Sequence, residues 1–384
     1  MVQIIYSGKI TDFKGRQLSI NFQKQFFKEA INILSKLVSK NKRVAYFFID
    51  PLLNGFEAAN HFYFGVFECE SIDKINCYKS GASPIQALAD AKELIDNGLY
   101  DVVFLFGYEP LLTNKKVYGK EAVTKAMNIF DKHSLIQCYN ELAHRLCQEL
   151  VLSEKNFKDL CDQLFMNYYN TYKHVSGKEV KLNRGRQLDD QHADLFKLTD
   201  CANPNIDFAG GMILTNENTA EYLQVPHKEQ IKVTGVKYVS VKGSPDHIDK
   251  IVGHTGNVFP HLKAAFLQAE AQSKINVVEQ YKQRNLFLEV YTCYPPVPIA
   301  FLLATGIIDT IDQLPHLLEE HEITITGGMN FARAPWNNPA LNGLIEMHQK
   351  LKAGPATYGL VHGNGGIGEI QGVAILERGC QAPY

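Results

Sequence analysis

Two apolar runs, each about the length of one strand, most strongly limit how this 384-residue chain can fold. Residues 44–49 end at Asp50-Pro51, and residues 102–106 end at Gly107. Such near-continuous apolar runs are typical of strands that are covered on both faces. Between them, residues 83–95 have apolar side chains at helical spacing, with a Ser-Pro start and a glycine after the end. This alternation predicts a layered α/β sheet with helices on both faces.

The region from about residue 111 to 200 is more polar, and its leucines at 142, 146 and 150 are four residues apart. It is predicted to be a helical insertion that packs on the main sheets. From residue 229 the alternation of strand and helix patterns resumes. One helix is predicted over 261–281, a strand over 286–291 and a helix over 338–352. We therefore expect two similar halves, residues 1–228 and 229–384.

Charge and cysteine spacing exclude several classes of protein. The 39 basic and 41 acidic residues give a formal charge of −2, which argues against a nucleic-acid partner. No apolar run approaches the roughly 20 residues of a membrane span, and the first residues carry no basic, apolar leader. The 8 cysteines are scattered, with no C-x-x-C pair, so neither a metal site nor a disulfide scaffold is expected. The cytoplasm is the expected compartment.

Two candidate segments lie at the ends of predicted strands or helices. The loop 77–84 precedes the helix that begins near Ser83, and a helix N-terminus suits a thiolate or an oxyanion. The alternative is a tight turn with an N-cap. Tyr291 and Cys293 follow a predicted strand, at a position where α/β proteins commonly bind ligands. The alternative there is a buried cysteine among aromatic residues, held by a Pro-Pro turn.

Two further segments are rich in glycine. Gly327 and Gly328 permit close approach of the backbone to a ligand, or a simple chain reversal. The stretch from His362 to Gly368 is the most glycine-dense, and turns at Gly365 and Gly366 would direct N–H groups toward one point, as in an oxyanion nest. His362 is either a base or a structural hydrogen-bonding residue.

Taken in order, these segments resemble the thiolase superfamily, most of all its sterol-carrier-type and thiolase-like acetyl-CoA acetyltransferase branch. The resemblance is carried by residues 83–109, 139–172, 198–214, 289–296, 327–338 and 359–366. It implies a five-layered αβαβα sandwich of two similar halves with a helical insertion. It also implies a coenzyme A or carrier thioester as substrate, a role in lipid metabolism, and a homodimer that pairs the strands preceding Gly81.

Thiolases use an acylated cysteine at a helix N-terminus, an Asn-Glu pair, a histidine and a second cysteine. When the motifs are aligned with this sequence, the acylated cysteine corresponds to Gly81 and the Asn-Glu pair to Tyr291 and Thr292. The histidine corresponds to Ala334, and the second cysteine falls on or beside Asn364. The usual Cys/His/Cys set is thus not retained. The resemblance then implies acyl transfer, or carbon–carbon bond formation or cleavage, by a non-standard mechanism, with no cofactor besides the coenzyme A of the substrate.

Relatives in this branch cleave carbon–carbon bonds of CoA thioesters with tyrosines, often beside a small partner subunit. The candidate catalytic residues are Tyr291, Cys293, His362 and Asn364. The candidate substrate-binding residues are Gly81, Ser83, Gly327, Gly328, Gly365 and Gly366. One alternative is a catalytically degenerate thiolase fold that binds an acyl-CoA or a partner subunit. Another is a condensing subunit whose nucleophile comes from a second chain.

Overall fold

The computed structural model describes residues 1–16, 20–67, 75–128, 133–178, 180–185, 188, 193–242, 245–254 and 256–379. The strands within these residues are β1 (Val2–Asp12), β2 (Val44–Ile49), β3 (Ile75–Tyr78), β4 (Val102–Pro110), β5 (Asp207–Asn216), β6 (Ile231–Ser240), β7 (Leu286–Glu289), β8 (Tyr358–Gly365) and β9 (Ile370–Arg378).

The helices before β6 are α1 (Ile20–Phe26), α2 (Lys28–Val38), α3 (Gly55–Asn60), α4 (Ser83–Asp96), α5 (Leu111–Tyr118), α6 (Lys120–Met127), α7 (Leu135–Glu149), α8 (Glu154–Ser176) and α9 (Glu217–Tyr222). Those that follow are α10 (Ile248–Val252), α11 (Pro260–Ser273), α12 (Val277–Lys282), α13 (Pro296–Ala304), α14 (Leu314–Glu320), α15 (Gly328–Phe331) and α16 (Pro339–Ala353). A π-helix, His61–Val66, follows α3.

The sheet consists of two strand groups with the same internal pattern. Its order is β3-β2-β4-β5-β1-β6-β9-β8-β7. In the first group β2 and β4 are parallel, whereas β4–β5 and β5–β1 are antiparallel. In the second group β7 and β8 are parallel, whereas β8–β9 and β9–β6 are antiparallel. The groups meet where β1 and β6 pair at two positions only, and β3 adds a further edge strand to the first group.

Helices α4 and α16 lie between the two strand groups and contact strands of both. Glycines in the strands allow this close approach. A Cβ atom at Gly372 of β9 would lie 2.8 Å from Ile85 of α4, and one at Gly210 of β5 would lie 2.8 Å from Ile345 of α16. Real Cβ contacts essentially never fall below 3.0 Å, so larger residues there would push the middle helices away from the strands.

Further helices cover the outer faces of both groups. On the first group, α2 and the π-helix pack on the outer faces of β2 and β4 in an aromatic-rich cluster that includes Phe27, Phe62 and Phe104. On the second group, α11 packs on β6 and β9. The layers therefore alternate helix, strand, helix, strand and helix, which confirms the predicted fold class.

The region predicted as an insertion contains helices α5 to α8, which end at Ser176. Among the described residues after Ser176, only the 3₁₀ turn Leu198–Asp200 is helical before β5 begins. Helix α7 contacts α10 and α13, and α8 contacts α14 and α15. The region predicted as an insertion thus lies against helices that follow β6 in the chain.

Two local predictions need correction. The helix expected over 261–281 is two helices, because Lys274 adopts a left-handed conformation after α11 and Asn276 accepts the Glu279 N–H to cap α12. Ser83, expected to cap α4, is instead its first residue, and the capping position is Ala82. The Ser83 hydroxyl donates to the Ser80 hydroxyl, 3.1 Å away.

None of the described helices has both the length and the apolar character needed to cross a lipid bilayer.

Candidate active site

The turn between β3 and α4 brings Gly81 to the tip of a middle-layer helix. Strand β3 ends at Tyr78, and the Ser83 N–H donates to the Ser80 carbonyl at 3.1 Å. Ser80 and Gly81 are partly exposed, whereas Ser83 is buried. Of the predicted substrate-binding residues in this turn, Gly81 is therefore partly accessible to solvent. Ser83 is buried and stabilises the turn through its hydrogen bonds to Ser80.

The Tyr291 hydroxyl lies against Gly81. Tyr291 follows β7, and a Cβ atom at residue 81 would lie 3.0 Å from the Tyr291 Cζ and under 3.0 Å from its hydroxyl oxygen. The same Cβ atom would also lie under 3.0 Å from the Asn364 carbonyl oxygen. A phenol and a backbone carbonyl thus fill the space that a side chain at residue 81 would need.

Asn364 connects β8 to the second aromatic residue of this site, Tyr139 on α7. The Asn364 amide donates to the Tyr139 hydroxyl at 2.8 Å and lies 3.7 Å from the Cys293 Sγ atom. The side-chain oxygen of Asn364 accepts a hydrogen bond from the Gln371 side-chain amide at 2.6 Å. The Tyr139 hydroxyl donates to the Gly366 carbonyl at 2.9 Å. The predicted residues Cys293, Asn364 and Gly366 therefore belong to one buried network.

Two tyrosines stack within this network. The rings of Tyr139 and Tyr294 are 4.0 Å apart with planes inclined by 17°. Phe196 also packs against Tyr294, with a ring distance of 6.1 Å and planes inclined by 42°. Aromatic stacking of this kind holds ring positions more firmly than burial alone.

Both ring nitrogens of His362 are hydrogen-bonded inside the protein. Nδ1 accepts the Tyr291 N–H at 3.4 Å, and Nε2 donates to the Gln371 side-chain oxygen at 2.7 Å. The ring stacks on Phe301 at 4.6 Å. Burial lowers the pKa of His362 to about 4, against an opposing effect of the Gln371 hydrogen bond. The imidazole is therefore neutral at pH 7 and hydrogen-bonded to the Tyr291 backbone. The catalytic role of His362 stays a prediction.

Burial also keeps the acidic groups of the site protonated. It raises the pKa of Cys293 to about 12, although the adjacent Tyr139 hydroxyl and nearby backbone groups oppose the rise. It raises the pKa of Tyr291 well above the usual value for a phenol, with a further contribution from Cys293. At pH 7 both groups are neutral hydrogen-bond donors, so the thiol is a weak nucleophile.

Gly327 and Gly328 form a turn beside this network. Both adopt left-handed conformations, with φ of 85° and 68°. A Cβ atom at Gly328 would lie 2.6 Å from the Thr292 hydroxyl oxygen, and one at Gly327 would collide with Tyr172 of α8. The Thr292 hydroxyl accepts the Met329 N–H at 2.8 Å. These glycines join α8 to the segment that carries Tyr291.

A buried carboxyl group holds the same turn from β7. Glu289 accepts the N–H groups of Ile325 and Thr326 at 2.8 Å and 3.1 Å, and the Thr326 hydroxyl at 2.6 Å. Burial raises the pKa of Glu289 to about 7 against these hydrogen bonds. Farther along, Ala334 is buried and its N–H donates to the Asn203 carbonyl at 2.9 Å.

The loop after β8 touches the tip of α4. A Cβ atom at Gly365 would lie 2.9 Å from the Ser80 hydroxyl oxygen. Gly366 has φ of 65°, and the Glu369 carboxylate occupies the space beside its Cα atom. Glu369 accepts the Ile367 N–H at 2.7 Å. The candidate residues of the two strand groups thus meet at Gly81 and Gly365.

Sequence reasoning missed three residues of this network: Tyr139, Gln371 and Ser80. Tyr139 is one of several buried residues along α7 and has the spacing of a core residue. Gln371 has no motif around it, and its hydrogen bonds to Asn364 and His362 become visible only when β8 and β9 pair. Ser80 lies in the loop 77–84 and has no motif of its own, although its hydroxyl receives the Ser83 hydrogen bond.

No protein-family model matches the sequence, and no curated protein matches it either. Solved structures do match. A monomeric SCP2-thiolase like protein type 1 from Mycobacterium smegmatis has a TM-score of 0.71 and 15% identity, over 100% of this chain and 78% of that protein. An Ltp2-ChsH2(DUF35) aldolase has a TM-score of 0.72 and 13% identity, over 99% of this chain and 98% of the matched chain.

The chain has a thiolase-like fold. The match to both structures covers nearly all of this chain, so the fold extends through the insertion as well as the two strand groups. In this thiolase-like fold the network around Gly81, Tyr291 and Asn364 lies where the two strand groups and the middle helix α4 come together.

Proposed function

We propose that this protein binds a coenzyme A or carrier-bound thioester and performs acyl transfer, or carbon–carbon bond formation or cleavage, without a cysteine nucleophile. The observation that carries the proposal is the contact of the Tyr291 hydroxyl with Gly81 at the tip of α4. Gly81 is the position that the thiolase resemblance assigns to the acylated cysteine. A phenol therefore stands close to the position assigned to the reactive thiol.

A neutral phenol suits this role as a hydrogen-bond donor. In both acyl transfer and aldol-type cleavage, the thioester carbonyl oxygen gains negative charge in the transition state. The raised pKa of Tyr291 keeps its proton available for such an oxygen. The partly exposed Ser80 and Gly81 leave an approach for the thioester from outside. Tyr291 is thus the proposed catalytic donor, with Cys293 and Asn364 close behind it.

The backbone around Tyr291 favours His362 as a positioning residue in this scheme. The His362 Nδ1 atom accepts a hydrogen bond from the Tyr291 N–H, and the Nε2–H group donates one to the Gln371 side-chain oxygen. A ring with both nitrogens engaged orients the Tyr291 segment more readily than it exchanges protons with a substrate. We propose the same supporting role for Ser83, Gly327 and Gly328, and a substrate-side role for Gly81, Gly365 and Gly366.

We further propose that two copies of this chain associate through β3. This strand lies at one edge of the sheet, pairs on one side with β2, and exposes Ile75 and Cys77. An unpaired strand edge of this kind favours pairing with a second strand.

A small partner subunit is a further proposal, supported by the name of the aldolase neighbour, which includes a DUF35 protein. Six described cysteines are free thiols, which fits the proposed cytoplasmic location.

The second candidate function is a catalytically inactive subunit that binds an acyl-CoA or a partner. Two observations favour it: the His362 nitrogens are both engaged, and the Cys293 thiol is buried with a pKa of about 12. Neither group is then available as a base at pH 7.

One experiment separates the two functions. Melting temperature is measured with coenzyme A and acyl-CoA ligands, and turnover is measured across β-ketoacyl-CoA and β-hydroxyacyl-CoA substrates. The enzyme proposal expects turnover that falls at least tenfold in Tyr291→Phe. The matched control is Tyr281→Phe, which removes a buried hydroxyl bonded to the Glu322 carbonyl, away from this network.

Three outcomes are decisive. Turnover equal in wild type and Tyr291→Phe removes Tyr291 from the mechanism. Ligand-induced stabilisation without turnover selects the inactive-subunit function. A chain that neither melts at a higher temperature with any CoA ligand nor turns one over contradicts both functions.

A further inference from the structure

A group of three side chains with metal-binding atoms lies in the helical insertion, apart from the network around Tyr291. His144 is on α7, Glu154 is the first residue of α8, and Asp194 belongs to the segment that precedes β5. One imidazole nitrogen and one oxygen from each carboxylate all lie within 4.8 Å of one another. No other such group of three occurs among the described residues.

The spacing between His144 and Asp194 fits a single small cation, and a Glu154 carboxylate oxygen lies within 4.8 Å of both ligand atoms. Zinc binds imidazole nitrogen and carboxylate oxygen at about 2.0–2.2 Å, so ligand atoms around one ion are roughly 3–4 Å apart. His144 Nε2 and Asp194 Oδ1 are already 2.9 Å apart. His144 and Asp194 are about one-third exposed, with relative side-chain accessibilities of 36% and 28%, so an ion can enter from solvent.

A fourth residue holds one of these ligands in place. The Asn140 amide donates to Asp194 Oδ1 at 2.7 Å, and the Leu195 N–H donates to the Asn140 carbonyl oxygen at 3.2 Å. Side chains that orient a ligand in this way are typical of metal sites, and their loss commonly weakens metal affinity 10–100-fold.

We propose that His144, Glu154 and Asp194 bind a divalent transition-metal ion, with Zn²⁺ as the expected occupant. Two carboxylates and a neutral imidazole balance the charge of such an ion and leave further positions for water. The cysteine spacing pointed away from a thiolate site, and the proposed site uses nitrogen and oxygen ligands instead.

The site ties together segments that also hold the Tyr294 ring. Helix α7 carries Tyr139 as well as His144, and the segment of Asp194 carries Phe196. Tyr139 and Phe196 both pack against Tyr294. A metal that joins α7 to this segment therefore acts as a structural clamp on the aromatic part of the network around Asn364. No catalytic step is assigned to the ion.

The test uses the full chain, stripped of metal with a chelator and then dialysed. Titration calorimetry with ZnCl₂ is expected to show one saturable equivalent, and Co²⁺ is expected to give a visible absorption band from the same site. His144→Ala and Asp194→Asn should weaken Zn²⁺ binding at least 100-fold. Glu154→Gln, a change at an exposed side chain, should weaken it at least tenfold, and Asn140→Ala 10–100-fold.

The matched control is His316→Ala. His316 forms an exposed histidine–carboxylate pair with Glu320 on α14, 3.5 Å apart, and should leave Zn²⁺ affinity unchanged. Circular dichroism confirms that each variant is folded. Absence of saturable Zn²⁺ or Co²⁺ binding by the wild type overturns the proposal. It is also overturned if the folded variants Glu154→Gln, His144→Ala and Asp194→Asn all bind Zn²⁺ with the affinity of the wild type.

Discussion

The hydroxyl of Tyr291 and the Cα atom of Gly81 are packed so closely that residue 81 has no space for a side chain. A Cβ atom there would lie under 3.0 Å from the Tyr291 hydroxyl oxygen and also from the Asn364 carbonyl oxygen. The tyrosine and the glycine are therefore mutually dependent. A cysteine cannot be introduced at this helix tip unless the Tyr291 segment or β8 moves.

Gly81→Ala should destabilise the protein, by about 1–3 kcal/mol, as expected for overpacking of a close contact. Tyr291→Phe in the same chain removes one of the two colliding oxygen atoms, so the double variant should recover part of this loss. The loss should not be recovered fully, since the Asn364 carbonyl remains. Urea denaturation of the four proteins in this double-mutant cycle measures the coupling. Additive effects of the two substitutions would contradict the packing described for Gly81 and Tyr291.

Cys293 should react slowly with iodoacetamide in the folded protein. Its pKa of about 12 leaves a thiolate fraction at pH 7 roughly 1000-fold smaller than that of an ordinary thiol, and the side chain is also buried. Mass spectrometry of the tryptic peptide follows the labelling. Exposed Cys77 should label sooner, because its thiol is accessible even though burial raises its pKa to about 11.

The control for this labelling is the urea-unfolded chain, in which both cysteines should react at similar rates. Labelling of Cys293 in the folded protein at the rate of the unfolded chain would show an activated thiol, and the proposal of chemistry without a cysteine nucleophile would be wrong.

The parts of the fold that could be predicted from sequence are those specified by neighbouring residues. The helix α4 and the strand β4 have clear periodicity and local stop signals, and the structure contains both near the expected bounds. The break at Lys274 was missed because a lysine in a left-handed conformation has no sequence signature comparable to that of glycine.

The candidate site could be predicted only in its strand-end residues. Tyr291, Cys293 and Asn364 do come together with Gly81, because all four lie at or just after the end of a strand of one sheet. The hydrogen bond between Asn364 and Tyr139 spans 225 positions, and nothing near Tyr139 distinguishes it from the core residues of α7. Such contacts depend on packing between distant elements, which a single sequence does not specify.

His362→Gln should change how stability depends on pH. Burial lowers the pKa of His362 from 6.5 in the unfolded chain to about 4 in the folded chain. Between these values the unfolded chain binds more protons, so this histidine makes the wild type lose stability as pH falls from 6.5 to 4. The difference in unfolding free energy between wild type and variant should therefore shrink on acidification, by at most about 1.4 kcal/mol per pH unit.

Denaturation at several pH values between 4 and 7 measures this difference. The control is His316→Ala, which removes a histidine from the surface rather than from the buried network. A constant difference between wild type and His362→Gln across this range would mean that His362 is not buried as a neutral ring.

Glu289→Gln should change the pH dependence in the opposite direction. Burial raises the pKa of Glu289 from 4.5 to about 7, so the folded chain binds more protons than the unfolded chain within this interval. The carboxyl group therefore stabilises the fold most fully below pH 4.5, and this contribution is lost as pH rises through 7. The stability of wild type relative to Glu289→Gln should fall with rising pH, by at most about 1.4 kcal/mol per unit.

The same substitution should also loosen the turn at Gly327 and Gly328. One carboxyl oxygen of Glu289 accepts both the Ile325 and Thr326 N–H groups, and the other accepts the Thr326 hydroxyl. An amide can accept at only one of these two positions. Hydrogen exchange of residues 325–329 should therefore become faster in Glu289→Gln at pH 7. Glu320→Gln, at an exposed carboxylate, is the control for both measurements. Unchanged exchange together with an unchanged pH dependence would show that Glu289 does not hold this turn, and the connection between β7 and the Tyr291 segment would need another explanation.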